Sequence, residues 1–187
     1  MLVVAEREQL PVQQARAGEP EAWDVLFRRY QLPLYVYVFE WVHDEQSSLD
    51  IVQETFIGAV RHIGTLRDDA RFGSWLFGIA HQKCIQLWRQ QSRENASLEE
   101  LSNTPVEFAE DPSDWLIREE QETGFVQLLN QLPLPQRSAL LLHFVGEFSL
   151  EEIADTTGAR IGTVKSRLHY ARKALKALWE EKNENAP

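Results

Sequence analysis

The chain has 187 residues, 43% of them hydrophobic and six of them Trp, with a formal net charge of −10. That composition excludes a disordered chain and leaves room for one domain or two small ones. Cys84 is the single cysteine, which excludes an intrachain disulfide, and no apolar run approaches the roughly 18 residues that cross a bilayer; the sequence reads as a cytoplasmic protein without membrane insertion.

The charge is uneven along the chain. Residues 1–95 carry 10 basic and 13 acidic side chains, residues 96–122 carry 1 and 9, and residues 123–187 carry 8 and 7. Most of the negative excess therefore sits in "ASLEELSNTPVEFAEDPSDWLIREEQE", which reads as a solvated linker running into a helix. The globular parts are close to neutral. Attraction to phosphate fades over a Debye length of about 8 Å, so local charge, not the acidic total, decides whether nucleic acid can bind.

In chain order, Trp23, Phe27, Tyr30, Leu34, Tyr37, Val38 and Trp41 recur at helical spacing, with Pro33 marking a kink or break among them. "VYVF" alternates poorly and belongs to the same helix. A second helix is expected over about Ser47–Ile63, with "SSLD" supplying its cap. A third is expected over about Arg71–Arg93, with Phe72, Trp75, Leu76, Ile79 and Ile85 on its core side and Cys84 as a small buried hydrophobe. Past the linker, "DPSD" can cap a helix running to Asn130, and a further helix starts in "PQRSALLLHFV" with Pro135 in its first turn.

The C-terminal stretch has the clearest local logic. "SLEE" at 149–152 is a capping box, and the short helix it opens ends at Gly158. The next helix places Val164, Leu168, Ala171, Leu175 and Leu178 on one stripe, while Lys165, His169, Arg172 and Lys176 form a second about 100° round the cylinder. No acid occurs between Asp155 and Glu180. A basic stripe alone is as much a solvated face as a DNA contact. Placed after a capped helix and a Gly-containing turn, it gives a helix-turn-helix, whose second helix lies in a major groove. There Arg160, Thr163, Lys165, Ser166 and Arg167 lie nearest base edges, and His169, Arg172 and Lys173 lie toward the phosphates.

These residues also carry a resemblance. "LNQLPLPQRSALLLHFVGEFSLEEIADTTGARIGTVKSRLHYARKAL" resembles region 4 of the extracytoplasmic-function (ECF) sigma factors, promoter-recognition subunits of bacterial RNA polymerase. "LFRRYQLPLY", "LDIVQETFIGAV" and "RFGSWLFGIA" resemble region 2, in the family's order. The resemblance implies an all-α protein of two small helical domains: a region 2-like domain over 1–95 that binds core polymerase and the −10 element, an acidic linker over 96–112, and a region 4-like helix-turn-helix domain over 113–187 that binds the −35 element. It implies three partners: the clamp region of core polymerase, promoter DNA and an anti-sigma factor.

The resemblance also assigns roles. "LDIVQE" is similar to the helix that docks on the polymerase clamp, which implies contacts from Leu49, Asp50, Gln53, Glu54 and Ile57; spacing alone makes this face an ordinary amphipathic helix. "TLRDDARFGSWLFGIAHQKCIQLWRQQSR" resembles the part that opens the −10 element, with a base pocket in the loop at Arg67 and Asp68 and with Trp75, His81, Gln82, Lys83 and Arg89 following it. Trp75 also fits the core by its spacing. The family commonly has an Arg-Asn pair after "IA", where this chain has His81 and Gln82, with Gly73 and Gly78 upstream. Phosphate attraction is expected to be weaker there, and base preference different.

Other chemistry finds little support in the residues. "HQKC" has half a zinc site's spacing without a second Cys, and no phosphate loop or hydrolase motif occurs. The expectation is a non-enzyme with no catalytic residue, no metal and no cofactor. Besides the promoter-recognition subunit, two readings stand: a sigma-like mimic that sequesters an anti-sigma factor without binding DNA, and a dimeric repressor. The acidic linker is also expected to fold against the basic stripe in the free protein.

Overall fold

The computed structural model describes residues 10–99 and 128–184, with side chains described over 10–90 and 128–180. Every regular element among them is helical. The first half contains α1 (Val12–Arg16), α2 (Pro20–Val42), α3 (Glu45–His62), two 3-10 turns (Ile63–Thr65 and Asp69–Arg71) and α4 (Phe72–Glu99). The second contains α5 (Leu134–Phe144), α6 (Leu150–Thr157) and α7 (Ile161–Glu184). The acidic segment beyond Glu99 lies outside the described residues. So does the helix expected from "DPSD", except for its helical end at 128–130.

α2 runs unbroken through Pro33, where the sequence allowed a break. Proline removes one backbone donor to the carbonyl four residues back. Leu26 lies buried before it and Leu34, Tyr37 and Val38 after it, so packing on both sides holds one continuous cylinder. The helix closes with His43 in the left-handed region at φ 51°, its N–H donating to Phe39 O. α3 starts at Glu45, two residues earlier than expected. Its cap is Asp44, whose carboxylate accepts from Ser47 N at 2.8 Å, while Ser48 faces the core and donates its hydroxyl to Asp44 O at 2.6 Å. A charged acceptor at the positive helix end outcompetes the serine hydroxyls further on.

The two halves share one continuous core. Tyr37, Phe77, Leu142, Phe148, Ile153 and Val164 belong to the same buried cluster. Phe77 of α4 meets Phe148 edge-on at 5.1 Å between ring centres. Thr156 Oγ1 donates to Ser74 O at 3.1 Å, and Tyr37 Oη lies 2.9 Å from Ser138 Oγ. Arg137 Nη1 lies 3.6 Å from Glu40 Oε2, both side chains being almost fully buried. Burying a residue the size of Phe contributes about 1.5–3 kcal/mol, whereas a buried ion pair roughly balances its own desolvation. Apolar burial is therefore the main source of adhesion, and the polar pairs set register. Gly73 permits the approach: a Cβ there would sit 2.9 Å from Tyr30 Oη and 3.2 Å from Phe148 Cε1.

Candidate nucleic-acid interface

The C-terminal site is built from local rules upward. Ser149 caps α6 in a complete capping box: Glu152 N donates to Ser149 Oγ at 3.3 Å and Ser149 N donates to Glu152 Oε2 at 3.0 Å. Gly158 closes the helix at φ 65° and ψ 17°, a left-handed conformation with no penalty for glycine, its N–H donating to Ala154 O. Three residues later α7 begins. Val164, Leu168 and Ala171 are buried against α5 and α6, which fixes the helix's rotation.

That rotation turns the cations outward. Arg160, Thr163, Lys165, Ser166, His169, Arg172 and Lys173 are exposed, and Arg167 is half-buried. The Ser166 hydroxyl donates back to Gly162 O at 3.0 Å, so its hydrogen is used within the helix. The Arg172 guanidinium lies 5.8 Å from the centre of the exposed Phe144 ring, which steadies it without burying it. Lys176 pairs with Glu180 at 3.7 Å in an exposed i, i+4 contact.

The residues that the resemblance assigned to the −10 element divide three ways. Trp75, Gln82 and Arg89 fall on one line of α4, seven residues apart, with Gln82 and Arg89 exposed and Trp75 half-buried against Phe72 at 5.8 Å between ring centres. Lys83 points toward α3, its Nζ 2.6 Å from Glu54 Oε2. His81 is buried at 4% exposure, on the face of α4 that carries Ser74 and Phe77 against the second half. Its Nδ1 lies 2.6 Å from Tyr37 Oη, and the Trp41 ring stands edge-on to it at 5.1 Å. Burial, followed by the Arg167 charge, lowers its pKa from 6.5 to about 4. Burial also pushes the Tyr37 phenol up, and the Cys84 thiol to about 12.

The loop before α4 is held by its own acids. Asp68 Oδ1 accepts from Ala70 N at 3.0 Å, Arg16 donates to Asp69 at 2.7 Å and to Leu66 O at 3.1 Å, and Arg67 is exposed. Arg71 reaches Asp155 of α6 at 2.8 Å.

On α3, Ser48, Ile51, Val52, Thr55, Phe56 and Ala59 face inward, leaving Leu49, Asp50, Gln53, Glu54 and Ile57 outside. Leu49, Ile57 and Val60 are 47%, 42% and 53% exposed, and with Gln53 they form a single row at i, i+4, i+8 and i+11. Sequence reading missed Val60, although the same spacing leads to it. It also missed Trp88, 41% exposed beside Arg89, whose signal was an indole among Gln and Arg residues. Among the described residues, no three His, Cys, Asp or Glu side chains gather where they could hold a metal ion, and no helix is long and apolar enough to cross a membrane.

Comparison with known proteins fits this geometry. Residues 26–94 match the family Sigma-70 region 2, and residues 124–175 match Sigma-70, region 4. The chain is 32% identical over 186 residues to the RNA polymerase sigma-H factor of Pseudomonas aeruginosa, covering 95% of this chain and 96% of that protein. It is 27% identical over 173 residues to the ECF RNA polymerase sigma factor SigW of Bacillus subtilis, covering 88% and 92%. Among solved structures, it resembles the sigma factor RpoE of Bartonella quintana, crystallised with the anti-sigma factor NepR, with TM-score 0.63, 25% identity and coverage of 83% and 96%. CnrH in complex with the cytosolic domain of CnrY shares the fold, with TM-score 0.63, 24% identity and coverage of 92% and 97%.

Proposed function

Because the chain belongs to the ECF group of the sigma-70 family of RNA polymerase sigma factors, we propose that it docks on core polymerase through α3 and carries the enzyme to promoters that α4 and α7 read. Leu49, Asp50, Gln53, Glu54 and Ile57, extended by Val60, form the surface for the polymerase clamp. Trp75, Gln82 and Arg89, with His81 and Lys83 once released from their partners, serve the −10 element together with Arg67 and Asp68. Arg160, Thr163, Lys165, Ser166 and Arg167 meet base edges of the −35 element, while His169, Arg172 and Lys173 hold phosphates. Catalysis belongs to the polymerase, the chain works in the cytoplasm, and an anti-sigma factor is its regulatory partner. The functional units are 1–95, 96–112 and 113–187.

The observation that carries this reading is the rotation of α7. Val164, Leu168 and Ala171 are buried, which leaves Lys165, His169 and Arg172 aligned in solvent behind a capped α6. A second reading, a sigma-like mimic that sequesters an anti-sigma factor, is favoured by α4, whose His81 is buried and whose Lys83 is paired. A promoter gel shift with and without core polymerase separates them. Promoter recognition requires a polymerase-dependent, sequence-specific shift, and the mimic gives none.

A further inference from the structure

The seam between the halves does more than join them. On one side stand Tyr37 and Glu40 of α2 with Ser74, Phe77 and His81 of α4; on the other stand Arg137 and Ser138 of α5, Phe148, and Thr156 of α6. Its centre is a three-membered chain, His81 Nδ1 to Tyr37 Oη at 2.6 Å and Tyr37 Oη to Ser138 Oγ at 2.9 Å, spanning the seam. With Nδ1 bare, the Tyr37 hydroxyl donates to it and accepts from Ser138.

Promoter reading cannot use the halves in this arrangement. The −10 and −35 elements lie about 25 base pairs apart, roughly 85 Å at about 3.4 Å per pair. The 28 residues from 100 to 127 can reach about 95 Å at about 3.4 Å each, which is enough to let the halves part that far. While they are packed, His81 is buried and Arg167 is half-buried.

We propose that this seam is a latch the free chain closes on itself, withholding His81 and Arg167 from DNA, and that His81 is the group through which acid opens it. The consequence for DNA rests on the promoter reading above; the opening itself does not. His81 meets the uncharged Tyr37 and Trp41 of α2, and across the seam lie Ser138 and the positive Arg167 of α7. The nearby Glu40–Arg137 pair is neutral as a unit. No acid among these groups is left to welcome a proton on His81. Protonation also turns Nδ1 into a donor, so the Tyr37 hydroxyl must reverse and Ser138 must turn with it.

The sign follows from linkage. The closed form holds His81 near 4 and the open form returns it to its ordinary 6.5, so the open form binds more protons between those values. Closure is fully favoured above about pH 6.5, and the closed-to-open ratio falls by up to about tenfold for each unit of pH below that, until about pH 4.

NMR titration of the histidines in the full chain, paired with small-angle scattering, tests the latch. In the wild type His81 titrates at least one unit below the ordinary value, and the radius of gyration rises between pH 7 and pH 4.5 while helicity is kept. In His81→Phe that rise moves down by at least one pH unit. Ser138→Glu, which places a charge in the seam from the other half, gives an expanded particle at pH 7 in which His81 titrates near 6.5. The proposal is overturned if His81 titrates normally in the compact wild type, if the wild type stays compact to pH 4.5, or if wild type and His81→Phe expand at the same pH. It is overturned equally if Ser138→Glu expands while His81 still titrates near 4.

Discussion

Lys83 Nζ lies 2.6 Å from Glu54 Oε2, joining a cation assigned to DNA to a carboxylate assigned to the polymerase. Both are partly solvated, at 30% and 65% side-chain exposure, and such pairs are worth about 1 kcal/mol or less. The contact is weak enough for a polymerase surface to break, so under the proposed function docking through Glu54 would free Lys83 for phosphate.

Reversing two charges on that face, Asp50→Lys with Glu54→Lys, removes the acidic groups and sets a cation against Lys83. The double variant is expected to lose co-purification with core polymerase while its helicity by circular dichroism is unchanged. Undiminished core binding would place the docking surface elsewhere and favour the mimic reading.

On α7, Arg172→Ala or Lys173→Ala weakens binding to all sequences alike and lowers the slope of log affinity against log salt by about one unit each. Lys165→Ala or Arg167→Ala relaxes base choice at one or two −35 positions, a loss of about 1–3 kcal/mol in discrimination. Ser166→Ala has a smaller effect than either, because its hydroxyl hydrogen is committed to Gly162 O. Affinity measured on a matched and a mismatched site at three salt concentrations distinguishes the classes. Identical slopes and identical discrimination in all the variants would reduce the stripe to a solvated face.

Local signals in this chain were legible and distant ones were not. The capping box at Ser149, the helix end at Gly158 and the stripe of Val164, Leu168 and Ala171 depend on residues within a few positions of each other, and they stand as the spacing predicted, while Leu175 and Leu178 of the same stripe are only half-buried. Cys84 is buried as its small apolar character suggested. The cap of α3 was misplaced because Asp44 and "SSLD" offer rival acceptors, and only the inward turn of Ser48 decides between them. His81 looked like a free DNA contact. Its partner Tyr37 is 44 positions before it, and Ser138, which bonds Tyr37 in turn, is 57 after; no periodicity connects them. Gly73 read as lost positive charge, and its reason, the approach of Phe148 from the second half, is tertiary in the same way.

Local stability should follow the caps. Ser149→Ala removes the hydroxyl that accepts from Glu152 N and costs about 1 kcal/mol, as does Gly158→Ala at its left-handed position. Urea unfolding followed at Trp fluorescence reads both. A midpoint unchanged in both variants would mean that α6 is held by packing alone.

Cys84 should be silent in the folded protein. Its thiol is buried and pushed up to about 12 by desolvation, so almost no thiolate exists at neutral pH. A disulfide reagent is expected to modify it at the rate of unfolding, rising with urea. Rapid stoichiometric reaction of the native protein at pH 7.5 would contradict its burial in the core.

Transcription from purified parts tests the central claim most directly. Core polymerase, genomic DNA fragments and this chain are combined, and RNA 5′ ends are mapped with the wild type and with a Lys165→Ala, Arg167→Ala double variant. The account predicts a set of 5′ ends that appears only with the chain, shares sequence near −10 and −35, and is lost or shifted to other −35 sequences with the double variant. Core binding without new 5′ ends, or new ends unaffected by the double variant, would contradict it.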